Sequence, residues 1–302
     1  GRWMSEDPIG FEGKDGNLYA YVGNGPGNAV DPAGLAVYTG WQESGRRHWL
    51  NPGNWRVEGD VWTSGVDANG NPILGDHVWL YAHTVGAFKE YFTITFDFKF
   101  ASGYVQSPGK DDRAGFVANS GVYIYNAIEV NIIDTNAILE YLDEVTKDGR
   151  VHISRPPYVD ETKWKRWKDG ERFWGMLTGV PYGKPYEGRD MEGWYERGSG
   201  WLEWLNPLKG AGEWNTMEIR FDPTFKNGVL LSYTLKVYVN GRLTHYGTHT
   251  TPTKDQGNLP MDEIQDYRIF LQTHHGSQVS FRNMVIKTGT DAPGMGDGPT
   301  RL

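Results

Sequence analysis

One carboxylate stands out as a candidate for acid–base chemistry. Glu129 lies in a run that predicts a β-strand, where it shares one face with Asn131. Asp134 falls on the opposite face unless a bulge intervenes, so spacing alone does not make these two carboxylates a retaining-glycosidase pair. A carboxylate in an aromatic-lined groove can remove or deliver a proton. Glu129 is therefore a candidate general acid or base, and the alternative is a structural ion pair, for example with Arg282.

Two adjacent histidines near the end of the chain are the second candidates. A neutral imidazole suits proton transfer or metal binding. Since neighbouring strand residues point to opposite faces, at most one of His274 and His275 lines a groove, and Gln272 shares the face of His274. The alternative is a hydrogen-bonded histidine at a strand edge. No compact metal motif such as HExxH appears, so a divalent metal would need ligands from several strands, and no cofactor is assigned.

Polar residues at strand ends are candidates for binding sugar hydroxyls. Asn119 and Ser120 come just before a predicted strand, although turn capping is the alternative role for them. Arg282 and Asn283 are neighbours in a late strand, so we expect one to face a groove and the other its back.

The composition narrows the class of protein. The 302 residues carry a net charge of −8, which argues against a nucleic-acid binder, and no apolar run approaches the ~20 residues of a membrane span. The chain contains no cysteine, which excludes disulfides and thiolate sites. Its 13 Trp fit either carbohydrate binding or a large core. The Lys- and Trp-rich segment 163–168 is interpreted as a solvated surface rather than a nucleic-acid patch, because acidic residues flank it.

Alternating hydrophobicity predicts an all-β fold. Tyr91–Phe100 alternates strictly, and Leu231–Val239 does so with Leu231 in the buried phase, ending at the hairpin signal Asn240-Gly241. Further strands are predicted at His77–Ala82, Val122–Ile133, Asn215–Phe221, Tyr267–Leu271 and Gln278–Lys287. Residues 135–213 interrupt this pattern as a long insertion, and its first 15 residues have helical spacing through Val145 with a stop at Gly149.

Ordered motifs give residues 54–288 a family resemblance. The motifs are NWRVEG from Asn54, Tyr91–Phe100, NSGVY from Asn119, IEVNIID from Ile128, GEWN from Gly212, VNG from Val239, and LQ at Leu271 followed by FRNM from Phe281. In this order they resemble the 3-keto-disaccharide hydrolase domain family. The resemblance implies a two-sheet antiparallel jelly-roll sandwich of the concanavalin-like lectin/glucanase type, here with a long, partly helical insertion.

The same resemblance implies a reaction. Oxidation of a glycoside at C3 makes the C2 proton acidic, a base removes it, the C1 substituent leaves with help from an acid, and water adds later. Glu129, His274 and His275 are the predicted catalytic residues. An electrophile for the enolate oxygen would be Arg282 or a divalent metal. The predicted substrate-binding residues are Asn119, Asn131, Gln272, Arg282 and Trp201, the last lying in the insertion, which could fold over the sheet as a lid.

The first 35 residues resemble a different family. The residues resemble the C-terminal end of the RHS repeat-associated core, which precedes a variable domain in large bacterial shell proteins; they are Arg2, Asp7-Pro8-Ile9-Gly10, Asn17–Asn24 and Asp31–Leu35. We therefore predict an extended RHS remnant at 1–35, a jelly-roll domain at 36–290 and a flexible tail at 291–302. An RHS shell would be the upstream partner in a longer parent chain. Residues 1–35 lack signal-peptide features, and the resemblance implies a secreted, cell-surface or periplasmic location.

Three functional hypotheses remain open at this point. The first is an enzyme that cleaves a 3-keto-glycoside, and the second is a lectin-like module of the same fold that binds carbohydrate without cleaving it. The third is an effector domain of an RHS protein, which is compatible with either of the others. Carbohydrate is the expected ligand in the first two, and no nucleic-acid or membrane partner is expected.

Overall fold

Two antiparallel sheets packed face to face form the architecture. The structure is a computed structural model, and it describes residues 37–39, 42–43, 46–47, 49–50, 55–66, 80–101, 118–139, 142–145, 151–153, 177–181, 207–250, 261, 264, 266–273 and 278–289. The predicted boundaries at residues 35 and 290 lie outside these ranges and stay predictions. No helix in the described part of the chain is long and apolar enough to cross a membrane.

The elements follow in chain order. They are β1 (Val37–Thr39), β2 (Gln42–Glu43), β3 (Arg46–Arg47), β4 (Trp49–Leu50), β5 (Arg56–Glu58), β6 (Val61–Thr63), β7 (Leu80–Thr84), β8 (Phe92–Phe100), β9 (Asn119–Ile124), β10 (Ile128–Ile133), α1 (Thr135–Leu139), β11 (Leu142–Val145), β12 (Val151–Ile153), β13 (Asn215–Lys226), β14 (Val229–Val239), β15 (Arg242–His249), β16 (Ile269–Thr273) and β17 (Val279–Thr288).

Crossovers between distant parts of the chain build both sheets. The eight-stranded sheet has the order β15-β14-β13-β8-β17-β6-β5, with β1 also paired to β17, and the five-stranded sheet has the order β10-β9-β16-β7-β4. Two small hairpins, β2–β3 and β11–β12, stand apart from these sheets. This arrangement confirms the predicted all-β, two-sheet antiparallel sandwich.

Aromatic side chains fill the space between the sheets. The alternation of β8 is confirmed, because its inward residues Phe92, Ile94, Phe96, Phe98 and Phe100 are all at most 1% exposed. Phe92 stacks on Phe221 of β13, and Phe221 stacks on Tyr233 of β14, each with ring centroids 5.2 Å apart. Such cross-strand aromatic contacts stabilise a sheet beyond the burial of their area.

A bulge in β14 corrects one predicted facing. Thr224 pairs with Ser232, but Phe225 pairs with Leu230, so Leu231 is an extra residue without a counterpart on β13. Leu230 is consequently buried, whereas Leu231 is 46% exposed. The prediction that Leu231 shares the buried phase of Tyr233 was wrong because an inserted residue inverts the alternation.

Two tight turns are built from residues with positive φ. Asn240 and Gly241 have φ values of 49° and 78° between β14 and β15, as the predicted hairpin signal requires. Tyr125 and Asn126 have φ values of 60° and 51°, and they join β9 to β10 as an antiparallel pair. The single strand predicted over Val122–Ile133 is therefore two strands, because this turn interrupts it.

The insertion begins differently from the prediction. Helix α1 spans only five residues, and Asp134 Oδ1 accepts a hydrogen bond from Ala137 N in its first turn, as an N-terminal capping residue does. Leu142–Val145 is a strand paired with Val151–Ile153, so the helix predicted through Val145 was wrong. Pairing with a second segment outweighs the weak helical spacing of so short a run.

A short part of the insertion, residues 177–181, connects the two sheets; we call it the strap. Along β10, Asn131 N donates to Val180 O (3.2 Å) and Gly179 N donates to Asn131 O (2.8 Å). On the other side, the Thr244 hydroxyl of β15 donates to Gly179 O at 2.9 Å. The strap thus continues the five-stranded sheet beyond β10 and ties it to the edge of the eight-stranded sheet.

Candidate active site

One face of the five-stranded sheet points away from the sandwich core; we call it the Glu129 face. Val122, Ile128 and Leu271 belong to the core cluster, while their strand neighbours on the opposite face do not, although these are buried too. The pairing of β10, β9, β16 and β7 aligns a row of side chains across this face in the order Glu129, Tyr123, Phe270 and His83.

Glu129 and Gln272 approach each other above Gly121. A Cβ placed on Gly121 would lie 3.0 Å from Glu129 Oε1 and 3.4 Å from Gln272 Oε1, so both side chains reach the space that this glycine leaves open. Gly121 itself pairs with Asn131. Glu129, Asn131 and Gln272 are 5%, 3% and 0% exposed. The structure therefore brings together one predicted catalytic residue and two predicted substrate-binding residues.

Hydrogen bonds from neighbouring side chains and from the strap contact Gln272 and Asn131. Gln272 Nε2 lies 3.2 Å from the Tyr123 hydroxyl, and the Ser120 hydroxyl donates to Gln272 O at 2.7 Å. The strap binds both backbone groups of Asn131, as described above. Asn119 pairs with Ile133 at the other end of the β9–β10 ladder, two residues along from the Asn131 row. Ser120 therefore has a structural role on the core side of β9. Asn119 lies at the edge of the Glu129 face.

Arg282 lies on the other sheet, and its contacts correct the expectation about its facing. A bulge in β17 between Arg282 and Val285 places both Arg282 and Asn283 on the outer side, where each donates to Asp97 Oδ2, at 3.2 Å and 2.8 Å. Arg282 also lies over the Trp214 ring, 4.0 Å from its centroid. The ion pair of Arg282 is therefore with Asp97, and the expected opposite facing of Arg282 and Asn283 is not observed.

Hydrogen bonds govern the ionisation of Asp97. Burial by itself would raise the pKa of this carboxyl group, but hydrogen bonds from Asn283, Thr216 and Arg282 outweigh that effect. The pKa of Asp97 consequently lies below its ordinary value. This carboxylate is a structural member of the eight-stranded sheet rather than an acid–base candidate.

A second polar group on the Glu129 face escaped the sequence analysis. Arg268 donates to both carboxylate oxygens of Asp266, and its Nη1 lies 3.1 Å from His83 Nδ1. The His83 ring contacts Phe270, over which Arg268 also lies. The hydrogen bond from Arg268 lowers the pKa of Asp266. No local sequence motif predicts this group, because His83 and Arg268 are 185 residues apart.

A histidine pair occupies the core side of β15. His245 and His249 are buried, and their Nε2 atoms are 2.9 Å apart. Their ring planes are within 18° of each other and their centroids are 5.1 Å apart. Since nitrogen meets nitrogen at hydrogen-bond distance, the rings meet edge to edge. One imidazole therefore donates and the other accepts, which requires at least one of them to be neutral.

The remaining predicted site residues lie outside the described residues. These are His274, His275 and Trp201, and their roles stay predictions. Among the side chains that the structure places, no three His, Asp or Glu residues group closely enough to hold a metal ion.

Comparison with protein families gives a match over most of the chain. A family model described as a 3-keto-alpha-glucoside-1,2-lyase-like domain matches residues 36–287. This range includes the whole insertion and begins upstream of the 54–288 range of the motifs. Residues 1–35 have no supporting match, so the RHS resemblance stays a prediction. No curated protein matches the chain.

Solved structures show distant similarity. A candidate glycosyl hydrolase from Parabacteroides distasonis ATCC 8503 is 17% identical, with 88% of this chain and 98% of that chain covered, at a TM-score of 0.47. The alginate lyase Aly36B is 11% identical over 83% of this chain and 93% of that chain, at a TM-score of 0.36. The alginate lyase vAL-1 from Chlorella virus is 17% identical over 69% and 76%, at a TM-score of 0.30.

Proposed function

Because the chain belongs to the 3-keto-alpha-glucoside-1,2-lyase-like domain family, we propose that it cleaves a 3-keto-glycosidic bond with Glu129 as the general base. Family membership supports a carbohydrate-acting enzyme in general. The specific chemistry is our proposal, and it depends on the carboxyl group of the Glu129 face.

The observation that carries the proposal is the burial of Glu129 on the side of the sheet away from the core. A buried carboxylate is costly to a fold unless it is compensated, and a solvent-facing position would avoid that cost. The carboxylates Asp97 and Glu218 of the eight-stranded sheet are by contrast partly exposed to solvent. Buried ionisable groups cluster at functional sites, which favours a functional role for Glu129.

The reaction needs a base, an acid and an electrophile. Glu129 would take the C2 proton, whose acidity comes from the neighbouring C3 carbonyl group, and the electron pair of the broken C–H bond forms the enolate. That pair then forms the C1–C2 double bond as the bond to the C1 substituent breaks, and water adds to the resulting enone later. His274 or His275 would supply the proton to the leaving oxygen. Asn131 lies two residues further along β10 on the same face, and its amide would bind a sugar hydroxyl in this proposal. Arg282 is unsuited to the enolate because it is paired on the other sheet.

The test compares turnover of a 3-keto-glucoside by the unmodified protein and by Glu129→Gln. Turnover is measured as release of the aglycone. Glu129→Gln keeps the shape of the side chain but removes its basicity. The matched control is Glu58→Gln, since the side chain of Glu58 is 63% exposed on β5. We expect turnover by the unmodified protein and by the control, and loss of turnover in Glu129→Gln.

Two outcomes would contradict the proposal. Full turnover by Glu129→Gln would remove Glu129 from the mechanism. Calorimetric binding of the sugar without turnover of any 3-keto-glycoside by the unmodified protein would favour the lectin-like module.

A further inference from the structure

The amide of Gln272 has an unsatisfied oxygen at the centre of the candidate site. Gln272 is completely buried, and its Nε2 is directed at the Tyr123 hydroxyl. In the part of the chain that the structure describes, its buried Oε1 has no hydrogen-bond partner. Leaving a buried acceptor unsatisfied is unfavourable, and such groups in folded proteins call for an explanation.

The unsatisfied oxygen and a carboxylate oxygen reach toward the same point above Gly121. Gln272 Oε1 and Glu129 Oε1 both lie within 3.4 Å of the point where a Gly121 Cβ would stand. A carboxylate oxygen and an amide oxygen are both acceptors, so neither stabilises the other. The oxygen and nitrogen of an amide have nearly the same shape, and their assignment depends on the surrounding hydrogen bonds.

We propose that Gln272 is a positioning residue for Glu129, with its amide nitrogen toward the carboxylate and its oxygen accepting from the Tyr123 hydroxyl. This orientation gives every polar atom of the amide a suitable neighbour. Gly121 is part of the arrangement, because a Cβ there would lie 3.2 Å from Glu129 Cγ and crowd the carboxylate. The orientation itself follows from the geometry, whereas its effect on catalysis rests on the proposed function.

The proposal has a chemical consequence. An N–H group that donates to a carboxylate favours its charged form and fixes the direction of its free lone pairs. Gln272 would thus keep Glu129 ionised and aimed at the substrate. Tyr123 in turn would hold the amide in the one orientation that allows this.

The first experiment determines the orientation without using activity. In the isotope-labelled full chain, nuclear Overhauser effects are measured from the side-chain amide protons of Gln272. Stronger contacts to the Gly121 Hα protons than to the Tyr123 ring support the proposal, because the reoriented amide places its protons closer to that glycine. Contacts to the Tyr123 ring without contacts to Gly121 overturn it.

The second experiment measures the pH profile of kcat/KM on a 3-keto-glucoside. Gln272→Met keeps the volume but removes the donor, and we expect its acidic limb to move up by about one pH unit, with kcat falling more than KM rises. Tyr123→Phe should shift the limb in the same direction by less. The control is Tyr125→Phe, which removes the buried hydroxyl bond to Phe88 O on the core side and should lower Tm without moving the profile.

An unchanged acidic limb in Gln272→Met would overturn the positioning role. If the unmodified protein does not act on a 3-keto-glycoside, the proposed function fails, while the magnetic resonance experiment still decides the amide orientation. A failure of Gln272→Met to fold would leave that same experiment, made on the unmodified chain, as the deciding one.

Discussion

On the eight-stranded sheet, the ion pairs opposite the core are partly exposed, whereas on the five-stranded sheet Glu129, Asn131 and Gln272 are buried on the face that also carries the partly exposed Arg268–Asp266 pair. Asp97 pairs with Arg282 and Glu218 with Arg220, in contact with solvent. Lys236 is the exception, because it is buried on the outer side of β14 with its ammonium group 4.8 Å from the Tyr246 ring centroid. Both sheets obey the same alternation of core and polar residues. The difference in burial is therefore what marks the Glu129 face as a candidate site.

The largest expected difference between the two faces is in catalysis. Replacing Glu129 with Gln should lower kcat by about 10²–10⁴-fold, the usual contribution of a general base. Asp97→Asn, made on the outer side of the eight-stranded sheet, should leave kcat within a factor of about two, since Asp97 takes no part in the proposed reaction. Equal losses in the two variants, measured on the same 3-keto-glucoside, would remove the distinction between the faces.

The two sides of the eight-stranded sheet should differ strongly in their contribution to stability. Leu230→Ala should lower the free energy of unfolding by about 2–5 kcal/mol because Leu230 is fully buried. Leu231→Ala should change it by less than about 0.5 kcal/mol. Urea denaturation of both variants measures this difference. A larger loss for Leu231 would mean that the bulge is absent in solution.

The strap should make the link between the sheets sensitive to a single methyl group. Gly179 has a φ of 79°, and a Cβ there would lie 2.4 Å from Thr244 Oγ1 and 2.7 Å from Val239 Cγ2. Gly179→Ala should therefore cost about 2–4 kcal/mol from strain and overpacking together. Gly228 has nearly the same φ, 80°, but nothing within 4 Å, so Gly228→Ala should cost only about 1–2 kcal/mol. Similar values for both glycines in thermal unfolding would show that the strap contact does not form.

The smallest expected effect concerns how the stability contributed by the Asp97–Arg282 ion pair depends on pH. Since the folded-state pKa of Asp97 is lowered, its carboxylate stabilises the fold above the unfolded-state pKa of about 3.9. That stabilisation is lost as the pH falls through the lower folded-state pKa. Asp97→Asn should cost about 1 kcal/mol or less at pH 7 and nearly nothing in strong acid. Urea denaturation at several pH values measures this loss of stability. A loss in Asp97→Asn that grows as the pH falls would contradict the lowered pKa of Asp97.

Regular alternation made much of the fold predictable from the sequence. The buried face of β8 follows from strict alternation over nine residues, and the shared face of Glu129 and Asn131 follows from the same rule. Gln272 lies one residue beyond the predicted strand Tyr267–Leu271, and its facing was inferred from its spacing to His274. That it meets Glu129 above Gly121 depends on which strands become neighbours, and that is a property of the topology.

The failures share a physical cause. Leu231 and the Arg282–Asn283 pair sit at bulges, where one additional residue reverses every facing beyond it. The turn at Tyr125 requires positive φ without a glycine, so its sequence carries no strong turn signal. His83 and Arg268 become neighbours only through strand pairing, which local patterns do not encode.

The strap has a consequence for how this domain can change in evolution. An edge strand with open hydrogen-bonding groups is a template for aggregation, and the strap covers that edge on β10, the strand that carries Glu129. It also anchors the insertion near its middle, between residues 140–176 and 182–206. The entropic cost of closing a loop grows only slowly with its length once its ends are fixed. We therefore expect changes of length on either side of the strap to leave its hydrogen bonds to the strand of Glu129 in place.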